Sequence, residues 1–357
     1  MERVLMAMSG GVDSSVAAYL LKKQGYECIG VHMKLYRRPE DKDKSINDRD
    51  TRDARDVCEK LGIEFKVYDF SEQFDRDVIE KWVRIYESGA TPNPCVYCNK
   101  HIKFGRLMEL ADELDCKYVA SGHYAQIIKD GDQYIIKKAK DSHKDQSYVL
   151  YQFDQDLLAR TLMPLGEYSK DQIREIAEEL GLSVAEKEES QDICFVENGN
   201  YVDFIENYRG EKFPEGQLLD PEGKVLGKHK GAISYTIGQR KGLGLAMPYP
   251  VYVLDKNMTN NTVIVGKNEN LFSEGLMADD FKLISGKPLD GPLSCQGKIR
   301  YNAQAADCTL YPLDEEGKKI KVIFKKNQRA IAKGQAFVVY NYDVLLGGGT
   351  ILRAGVK

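Results

Sequence analysis

The sequence predicts a parallel α/β domain, followed by a small mostly β domain and a C-terminal β-barrel. Apolar strand-like runs alternate with helical segments over the first 120 residues, which is typical of a parallel sheet covered on both faces. From Gly210 onwards, clusters of Pro, Gly and Asp separate short segments, which favours a small β-rich unit. After about Gly275, five or six short alternating runs favour a barrel. We therefore expect domains at residues 1–205, 206–275 and 276–357.

The elements of the first domain follow one another as strand and helix. Strands are predicted at 3–8, 28–33, 64–70 and 117–121, and helices at 14–23, 52–61, 104–114 and 169–180. Apolar residues at helical spacing support each helix, and glycines at positions 25, 62 and 181 end three of them. Ser169 and Gln172 fit a capping box at the start of the last helix. The charged stretch 37–50 is predicted to be a surface loop.

Length and composition exclude several classes of protein. A chain of 357 residues and 40.4 kDa is too long for one core. Hydrophobic residues make up 42% and charged residues 30%, as in soluble globular proteins. The sequence has no apolar run of the roughly 18 residues that a membrane span needs. Residues 1–8 contain Glu2 and Arg3 and lead directly into a glycine turn, so they favour a buried strand over a signal peptide. We expect a cytoplasmic protein with no membrane contact.

The charge is distributed unevenly along the chain. Residues 276–357 contain 13 Lys and Arg against 8 Asp and Glu, which leaves the rest of the chain strongly acidic within a total of −4. A basic C-terminal module suits nucleic-acid contact, although an ordinary solvated surface explains the charge equally well.

The segment Ser9-Gly10-Gly11-Val12-Asp13-Ser14-Ser15 lies between a predicted strand and a predicted helix. Its two glycines allow a tight turn that brings backbone amides close to a phosphate. Ser14 and Ser15 lie at the helix start, where unpaired N–H groups and the helix dipole attract anions. Asp13 can help to hold Mg²⁺. The segment lacks the Gly-Lys-Ser/Thr of a Walker loop.

Eight cysteines are scattered along the chain, too sparsely for a disulfide scaffold. Cys95 and Cys98 form a CxxC pair after two prolines, a pattern that fits metal binding, thiol redox chemistry or no function. Cys194 lies in the polar stretch Ser190-Gln191-Asp192-Ile193-Cys194-Phe195. The other five are expected to be structural: Cys28, Cys58, Cys116, Cys295 and Cys308.

These motifs together carry a family resemblance. SGGVDSS resembles the loop of the pyrophosphatase-loop (PP-loop) ATPases, whose adenine-nucleotide α-hydrolase-like domains adenylate a substrate oxygen. The same loop followed by TPNPCVYCNKHIKFG, ASGHYA, KDQSYVLY and SQDICF resembles the bacterial MnmA/TrmU family of tRNA-specific 2-thiouridylases. The resemblance covers essentially the whole chain.

The resemblance implies an ATP- and Mg²⁺-dependent thiolation of the wobble uridine in the tRNA anticodon stem-loop. ATP adenylates the oxygen on carbon 2, and a sulfur delivered by a cysteine desulfurase or a sulfur-relay protein replaces it. By this analogy Cys98 is the nucleophile and Cys194 carries the persulfide. Lys100 and Lys103 are expected to favour the thiolates because they are close in sequence.

The resemblance also implies two sets of binding residues. ATP contacts are expected from Ala7, Met8, Ser9, Gly10, Gly11, Val12, Asp13, Ser14, Met33 and Gly122. Contacts to tRNA are expected from Asn93, Pro94, Cys95, His123, Lys144, Asp145, Gln146, Arg300, Tyr301 and Gln335. Asn93, Pro94 and Cys95 should approach the target base, which must leave the anticodon stack.

Cys95 departs from a common version of the family, in which this position is an aspartate proposed as acid or base. The departure leaves that role without a holder and creates three candidate thiolate ligands, Cys95, Cys98 and Cys194. A 4Fe–4S cluster with one open iron position, a persulfide and disulfide route, and an inert Cys95 are all consistent with the sequence.

Two other functions are also consistent with parts of the sequence. A PP-loop synthetase acting on a small molecule would share the loop but would not need the cysteines or the basic barrel. A non-catalytic iron–sulfur RNA-binding protein would share the cysteines but would not need an intact SGGVDSS loop.

Overall fold

The computed structural model describes residues 1–36, 49–185, 187, 193–196 and 199–356. Residues 37–48 of the predicted surface loop 37–50 lie outside the described residues. The last two residues of that prediction, Arg49 and Asp50, belong to a helix. No helix in the described part of the chain is long and apolar enough to cross a membrane.

The first sheet is parallel throughout and has five strands. Its strands are β1 (Arg3–Ala7), β2 (Glu27–Lys34), β3 (Glu64–Asp69), β4 (Tyr118–Ala120) and β7 (Thr161–Leu162). Their spatial order is β3-β2-β1-β4-β7. The order reverses beside β1, between β2 and β4, and the carboxyl ends of strands at such a point form the usual ligand crevice of an open α/β sheet. The predicted parallel α/β domain is confirmed.

Helices cover both faces of this sheet. The α-helices are α1 (Val12–Lys23), α2 (Arg49–Leu61), α3 (Ser71–Phe74), α4 (Glu80–Glu87), α5 (Pro94–Tyr97), α6 (Gly105–Glu113), α7 (Gln155–Ala159), α8 (Lys170–Glu179) and α9 (Tyr201–Arg209). Two π-helical turns, Asp75–Ile79 and Cys98–Phe104, precede α4 and α6. The predicted capping box is present in α8, where the Ser169 side chain accepts from the backbone of Gln172.

A hairpin that the sequence analysis did not assign joins the first domain to the barrel. It consists of β5 (Ala125–Asp130) and β6 (Gln133–Lys138), and the Asp130-Gly131 turn between two apolar runs was its available signal. Strand β6 pairs with a strand of the C-terminal barrel through Val344 and Leu345. The first domain is therefore connected directly to the barrel by backbone pairing.

Two further sheets complete the fold. The central sheet has the order β10-β11-β8-β9, with β8 (Gly216–Leu219), β9 (Val225–His229), β10 (Tyr252–Asn257) and β11 (Thr262–Gly266). The barrel strands are β12 (Phe272–Leu283), β13 (Leu293–Lys298), β14 (Ala306–Pro312), β15 (Ile320–Arg329), β16 (Ala336–Asn341) and β17 (Val344–Ala354). They run antiparallel in the order β12-β15-β14-β13-β16-β17, and pairing of β12 with β17 closes the barrel. The predicted β-barrel is confirmed, while the domain boundaries after residues 205 and 275 stay predictions.

Candidate active site

The loop between β1 and α1, residues 8–11, is held by the side chains that follow it. The Ser14 hydroxyl lies 3.1 Å from both the backbone nitrogen and the hydroxyl of Ser9, and the Ser15 hydroxyl donates to the Gly11 carbonyl at 2.9 Å. Gly10 adopts φ +75°, and a Cβ on it would lie 2.3 Å from the Asp50 carbonyl oxygen. The loop is thus fixed at the amino end of a 12-residue helix, where a helix attracts anions.

A lysine outside the motif clamps the same loop. The Lys187 ammonium donates to the Gly10 carbonyl at 2.8 Å and contacts the carboxylates of Asp50 and Asp53 at 2.7 and 2.5 Å. Sequence reasoning did not find this residue, because its partners lie more than 130 positions away. The clamp links the loop to the chain segment that leads towards Cys194.

A cavity of about 220 Å³ opens beside the loop, and we call it the nucleotide cleft. It is lined by Ala7, Met8, Ser9, Asp13, Ser14, Met33, Leu35, Lys103, Phe104, Leu107, Ser121, Gly122, His123 and Gln146. Seven of the ten residues predicted to contact ATP are among them, whereas Gly10, Gly11 and Val12 are not. The Val12 side chain packs in the hydrophobic core below the loop. Polar groups of the loop therefore meet an apolar wall, which suits a nucleotide.

Gly122 closes the cleft against the loop. A Cβ on this residue would lie 2.8 Å from both the Asp13 carbonyl carbon and the Ser14 nitrogen, so any side chain here would displace the start of α1. Next to it, the Nδ1 atom of His123 is 2.8 Å from the Ser121 hydroxyl. Burial, assisted by the nearby Lys103 charge, lowers the pKa of His123 to about 3. His123 and Gln146, both predicted to contact tRNA, thus line the nucleotide cleft, and the histidine is neutral there.

Asp13 is already engaged by two groups that sequence reasoning missed. Its Oδ1 accepts from the Lys170 ammonium and from the Tyr124 hydroxyl, each at 2.7 Å. Tyr124 belongs to the ASGHYA motif, but nothing local marked Lys170, which comes from the start of α8. A protein usually contributes one or two carboxylates to a Mg²⁺ ion that is bound to substrate phosphates. The position of the Asp13 carboxylate beside the loop fits such an ion.

The CxxC pair lies on a short helix that continues as a π-helix. The Asn93 side chain accepts from the Cys95 backbone nitrogen at 3.1 Å and begins α5, with Pro94 at its first position. The π-helix then starts at Cys98. The backbone hydrogen bonds of a π-helix join residues five positions apart, so Cys98 and Lys103 lie on one face of it. In an α-helix, with 3.6 residues per turn, the same two residues would be about 0.4 turn apart. This local geometry directs Lys103 towards both the thiol and the nucleotide cleft.

Cys194 is held beside this pair by its neighbour, Phe195. The Phe195 ring packs against Trp82 at 5.2 Å, Phe204 at 5.3 Å and Phe74 at 5.7 Å between centroids. We call these four rings the aromatic cluster; it belongs to the same hydrophobic cluster as Cys98. Residues 190–192 of the SQDICF motif lie outside the described residues.

The structure brings Cys95, Cys98 and Cys194 together around Lys103, and we call these four residues the sulfur site. Burial raises the pKa of Cys98 to about 12, against the opposing effect of Lys103. Loss of solvent contact likewise raises the pKa of Cys95 and Cys194, although both side chains still reach the surface, and Lys103 again opposes the rise. The pKa of Lys103 is raised, because the attraction of its ammonium to the thiolate forms of the three cysteines outweighs the burial that would lower it. Lys103 therefore favours the thiolate form of all three cysteines, as expected, while burial has the larger effect and keeps their net pKa above the usual value.

These cysteines do not form a metal centre as placed. Across the described residues, no group of three or more His, Cys, Asp or Glu side chains is arranged to hold a metal ion. The ligands of a 4Fe–4S cluster bind separate iron atoms, so the 4Fe–4S alternative stays a prediction beside the persulfide and disulfide route.

Several predicted tRNA contacts make bonds within the protein. The Gln335 amide donates to the carbonyl oxygens of Thr91 at 2.9 Å and Pro92 at 3.4 Å. The Tyr301 hydroxyl donates to the Asp145 carbonyl at 3.0 Å, and the Asp145 carboxylate accepts from the Ser147 hydroxyl at 2.9 Å. Arg300 is exposed and Lys144 half-buried. The barrel therefore reaches the active-site loops at two points, one through Gln335 and one through Tyr301.

Family models match the chain in three consecutive pieces. They are described as a tRNA methyl transferase HUP domain over residues 2–198, a tRNA methyl transferase PRC-barrel domain over residues 202–267, and an aminomethyltransferase β-barrel domain over residues 273–351.

Curated relatives match over nearly the full length. The tRNA-specific 2-thiouridylase MnmA of Clostridium botulinum (strain Alaska E43) is 46% identical over 358 residues, covering 98% of each chain. The protein of the same name from Clostridioides difficile (strain 630) is 46% identical over 363 residues, covering 99% of each chain. Among solved structures, a 4-thiouridine synthetase–RNA complex with bound ATP is 15% identical, with a TM-score of 0.36, and covers 54% of this chain and 45% of that chain. A TM-score this low supports no further comparison.

Proposed function

We propose a two-step reaction for this chain, which belongs to the family of the tRNA-specific 2-thiouridylases. It is a tRNA sulfurtransferase that uses ATP. In the first step the wobble uridine is adenylated on the oxygen of carbon 2, and in the second step sulfur replaces that oxygen. The observation that carries the proposal is the position of Lys103, which lines the nucleotide cleft and neighbours the three cysteines.

The nucleotide cleft supports the adenylation step. The loop backbone around Gly10 and the amino end of α1 attract the ATP phosphates, while Met33, Leu35 and Leu107 provide apolar contact for the adenine. The uridine oxygen attacks the α-phosphorus, the bond to the β-phosphate oxygen breaks, and pyrophosphate leaves. Asp13 would hold Mg²⁺, which neutralises charge on the leaving pyrophosphate, and Lys170 orients the Asp13 carboxylate.

The sulfur site supports a persulfide and disulfide route. The terminal sulfur of a Cys194 persulfide attacks carbon 2 of the adenylated uridine, and AMP leaves with the oxygen. The Cys98 thiolate then attacks the Cys194 Sγ atom, which breaks the bond to the transferred sulfur and releases 2-thiouridine. A Cys98–Cys194 disulfide remains, and a thiol reductant must return two electrons to it before the next turnover.

Burial keeps the two thiols unreactive until tRNA binds. With the pKa of Cys98 raised to about 12, almost none of it is thiolate near neutral pH, so it cannot attack prematurely. Lys103 offsets part of this burial and stabilises the thiolate when the substrate reorganises the site. The persulfide and disulfide route needs only these thiols and Lys103, and no step is routed through an iron–sulfur cluster.

The source of sulfur and the RNA partner follow from the same chemistry. A persulfide on Cys194 requires a donor of sulfane sulfur, so we propose a cysteine desulfurase or a sulfur-relay protein as partner. Cys194 is exposed at the surface of the described residues, as such an exchange requires. The basic barrel and the loop at Asn93 are proposed to hold the anticodon stem-loop. ATP, tRNA and free thiols place the reaction in the cytoplasm.

Methyl transfer is the competing function, since two of the family-model descriptions name it. Methyl transfer uses neither a pyrophosphate-binding loop nor a second cysteine on a distant segment. Thiolation accounts for both, and the curated relatives carry that activity in their names.

The test combines product and pyrophosphate measurements. An unmodified tRNA transcript is incubated with the protein, ATP, Mg²⁺ and a cysteine desulfurase with cysteine, and 2-thiouridine is quantified by nucleoside mass spectrometry. We expect tRNA-dependent pyrophosphate release and thiolation, with thiolation abolished in Cys98→Ser and Cys194→Ser. Cys295→Ser, on the barrel, is the matched control and should retain full activity.

Two results would overturn parts of the proposal. Pyrophosphate release at full rate without RNA, and no thiouridine with any sulfur donor, would indicate a small-molecule PP-loop ATPase. Wild-type protein that contains about four iron atoms per chain and loses thiolation when the iron is chelated would indicate the cluster route instead.

A further inference from the structure

The barrel contains a pair of cysteines that the proposed reaction does not use. Cys295 on β13 and Cys308 on β14 are direct partners in the antiparallel register. Their Sγ atoms are 3.8 Å apart. The sequence analysis expected both to be structural and did not pair them, because strand register cannot be read from two isolated cysteines.

We propose that Cys295 and Cys308 form a reversible dithiol–disulfide site, oxidised by low-molecular-weight disulfides, at the base of the hairpin that carries Arg300 and Tyr301. The site is separate from Cys98 and Cys194 in sequence, in fold and in chemistry, and it does not depend on the thiolation mechanism.

Backbone geometry already meets the requirements of the bond. Directly opposed residues of an antiparallel pair have Cα atoms about 4.5 or 5.5 Å apart, and both values lie within the range of about 4.4–6.8 Å found in disulfides. The sulfurs must approach by less than about 2 Å to reach a bond length of about 2.05 Å. Side-chain rotation alone can provide this closure.

The strands around the pair hold it in this arrangement. Strand β13 is paired on both sides, with β14 and β16, and β14 is paired on both sides, with β13 and β15. A Cβ on Gly297 would lie 2.5 Å from the Phe337 ring and 3.1 Å from the Cys308 sulfur, so the glycine allows the ring and the sulfur to pack against the strand. Fixed strands keep the two thiols at a high effective concentration relative to each other.

Access determines the order of the two exchange steps. Cys295 is half-buried, whereas Cys308 is buried. The Cys295 thiolate attacks one sulfur of the external disulfide, whose S–S bond breaks and releases one thiol. The Cys308 thiolate then attacks the Cys295 sulfur of the mixed disulfide and releases the second thiol. Two protons leave the protein thiols, the protein loses two electrons, and the external disulfide is reduced.

The position in the barrel gives the site a consequence. The connection from β13 to β14 spans residues 299–305 and includes Arg300 and Tyr301, and Tyr301 bonds to Asp145 in the first domain. A Cys295–Cys308 bond would close this connection into a covalent loop. Oxidation would therefore restrict the hairpin that links the barrel to the loop at Asp145.

The experiment uses the full-length protein equilibrated in glutathione buffers of increasing oxidised fraction, quenched with an alkylating agent and mapped by mass spectrometry. We expect a linked peptide pair of Cys295 with Cys308, distinct from any Cys98–Cys194 pair, that reverts with dithiothreitol. Oxidation should raise the melting temperature of the protein by a few degrees. The buried Cys28, Cys58 and Cys116 should stay reduced, be alkylated when the quench is made under denaturing conditions, and serve as internal controls.

Two variants keep the proposal open to refutation. Cys308→Ser should leave Cys295 as a mixed disulfide with glutathione, and Cys295→Ser should leave Cys308 a free thiol, with circular dichroism showing that both variants fold. The proposal is wrong if the wild-type protein gives only a mixed disulfide at Cys295. It is also wrong if both sulfurs stay thiols under conditions that oxidise Cys98 and Cys194.

Discussion

The nucleotide cleft and the sulfur site are adjacent but are built in different ways. The cleft depends on backbone: Gly10 and Gly122 pack with no room for a Cβ, and the hydroxyls of Ser9 and Ser14 fix the loop. The sulfur site depends on side chains from separate segments, and Phe195 holds Cys194 by ring packing. Lys103 is the residue that the two regions share.

The difference indicates what each region must do. A phosphate-binding loop works best when it is rigid before the ligand arrives, because its amides are then already oriented. A cysteine that receives sulfur from one protein and gives it to an RNA must face two partners in turn. Side-chain anchoring permits such a change of exposure, whereas a loop packed backbone against backbone does not.

Gly122→Ala should break the cleft and have the largest effect. The added methyl group would lie 2.8 Å from the Ser14 nitrogen and the Asp13 carbonyl carbon, so the loop must shift and its amides lose their alignment. We expect at least a 100-fold loss of ATP affinity, measured by calorimetry, since misplaced charge-assisted hydrogen bonds cost about 1.5–3 kcal/mol each. Loading of Cys194 with sulfur from a desulfurase should be unchanged.

Gly291→Ala is the matched control for this change. A Cβ on Gly291 would meet no heavy atom within 4 Å, and the backbone there is not left-handed, so ATP affinity should equal that of the wild type. Normal ATP binding by Gly122→Ala would show that the loop adapts and that the cleft is not preformed.

Lys103→Met should damage both regions, because it removes the residue that they share. Lys103 lowers the pKa of Cys98 against the larger effect of burial, so the variant raises that pKa further. The thiolate fraction then falls at every pH below the pKa, and the rate of Cys98 alkylation should fall about tenfold, with its pH profile displaced to higher pH. Thiolation should fall at least as much.

Lys100→Met is the neighbouring control, since Lys100 lies on the same π-helix and is not among the residues that line the cleft. An unchanged pH profile in Lys103→Met, or an equal displacement in Lys100→Met, would contradict the specific role of Lys103.

Phe195→Leu should affect the sulfur site alone. The change removes ring packing with Trp82, Phe204 and Phe74, and aromatic pairs contribute about 0.5–1.5 kcal/mol each beyond area burial. Cys194 would then be less well positioned against Cys98, and we expect kcat for thiolation to fall about tenfold while the KM for ATP stays constant. Phe195→Tyr, which keeps the ring, should restore most of the rate.

Phe281→Leu removes an equally buried ring from the barrel and controls for general loss of stability. If it slows thiolation as much as Phe195→Leu does, ring packing at Phe195 has no special role in the sulfur step.

The same contrast explains what the sequence could predict. The loop, its strand and its helix are contiguous, so Ser9 to Ser14 could be assigned to phosphate binding from local residue types. Lys170 and Lys187 reach the loop from elements more than 130 residues away, and no local pattern marks such partners. The favourable effect of Lys103 on the Cys98 thiolate was predicted correctly, but the larger opposing effect of burial was not, because sequence shows nearby charges but not burial.

Gln335→Ala should have the smallest effect. It tests whether Gln335 contacts tRNA directly or positions the chain just before Asn93. The resemblance implies that Gln335 contacts tRNA, yet its amide donates to Thr91 and Pro92, and the Thr91 nitrogen donates to Lys333. These bonds fix the chain just before Asn93 and the CxxC pair. Loss of about 1 kcal/mol of hydrogen bonding would lower kcat roughly fivefold, while the KM for tRNA should change little if the residue acts by positioning.

Gln328→Ala is the control, because the side-chain amide of Gln328 donates to the nearby Lys326 carbonyl, and it should leave both constants unchanged. A raised KM for tRNA with normal kcat would instead make Gln335 a direct RNA contact, and the loop at Asn93 would then be held mainly by the backbone bond from Lys333.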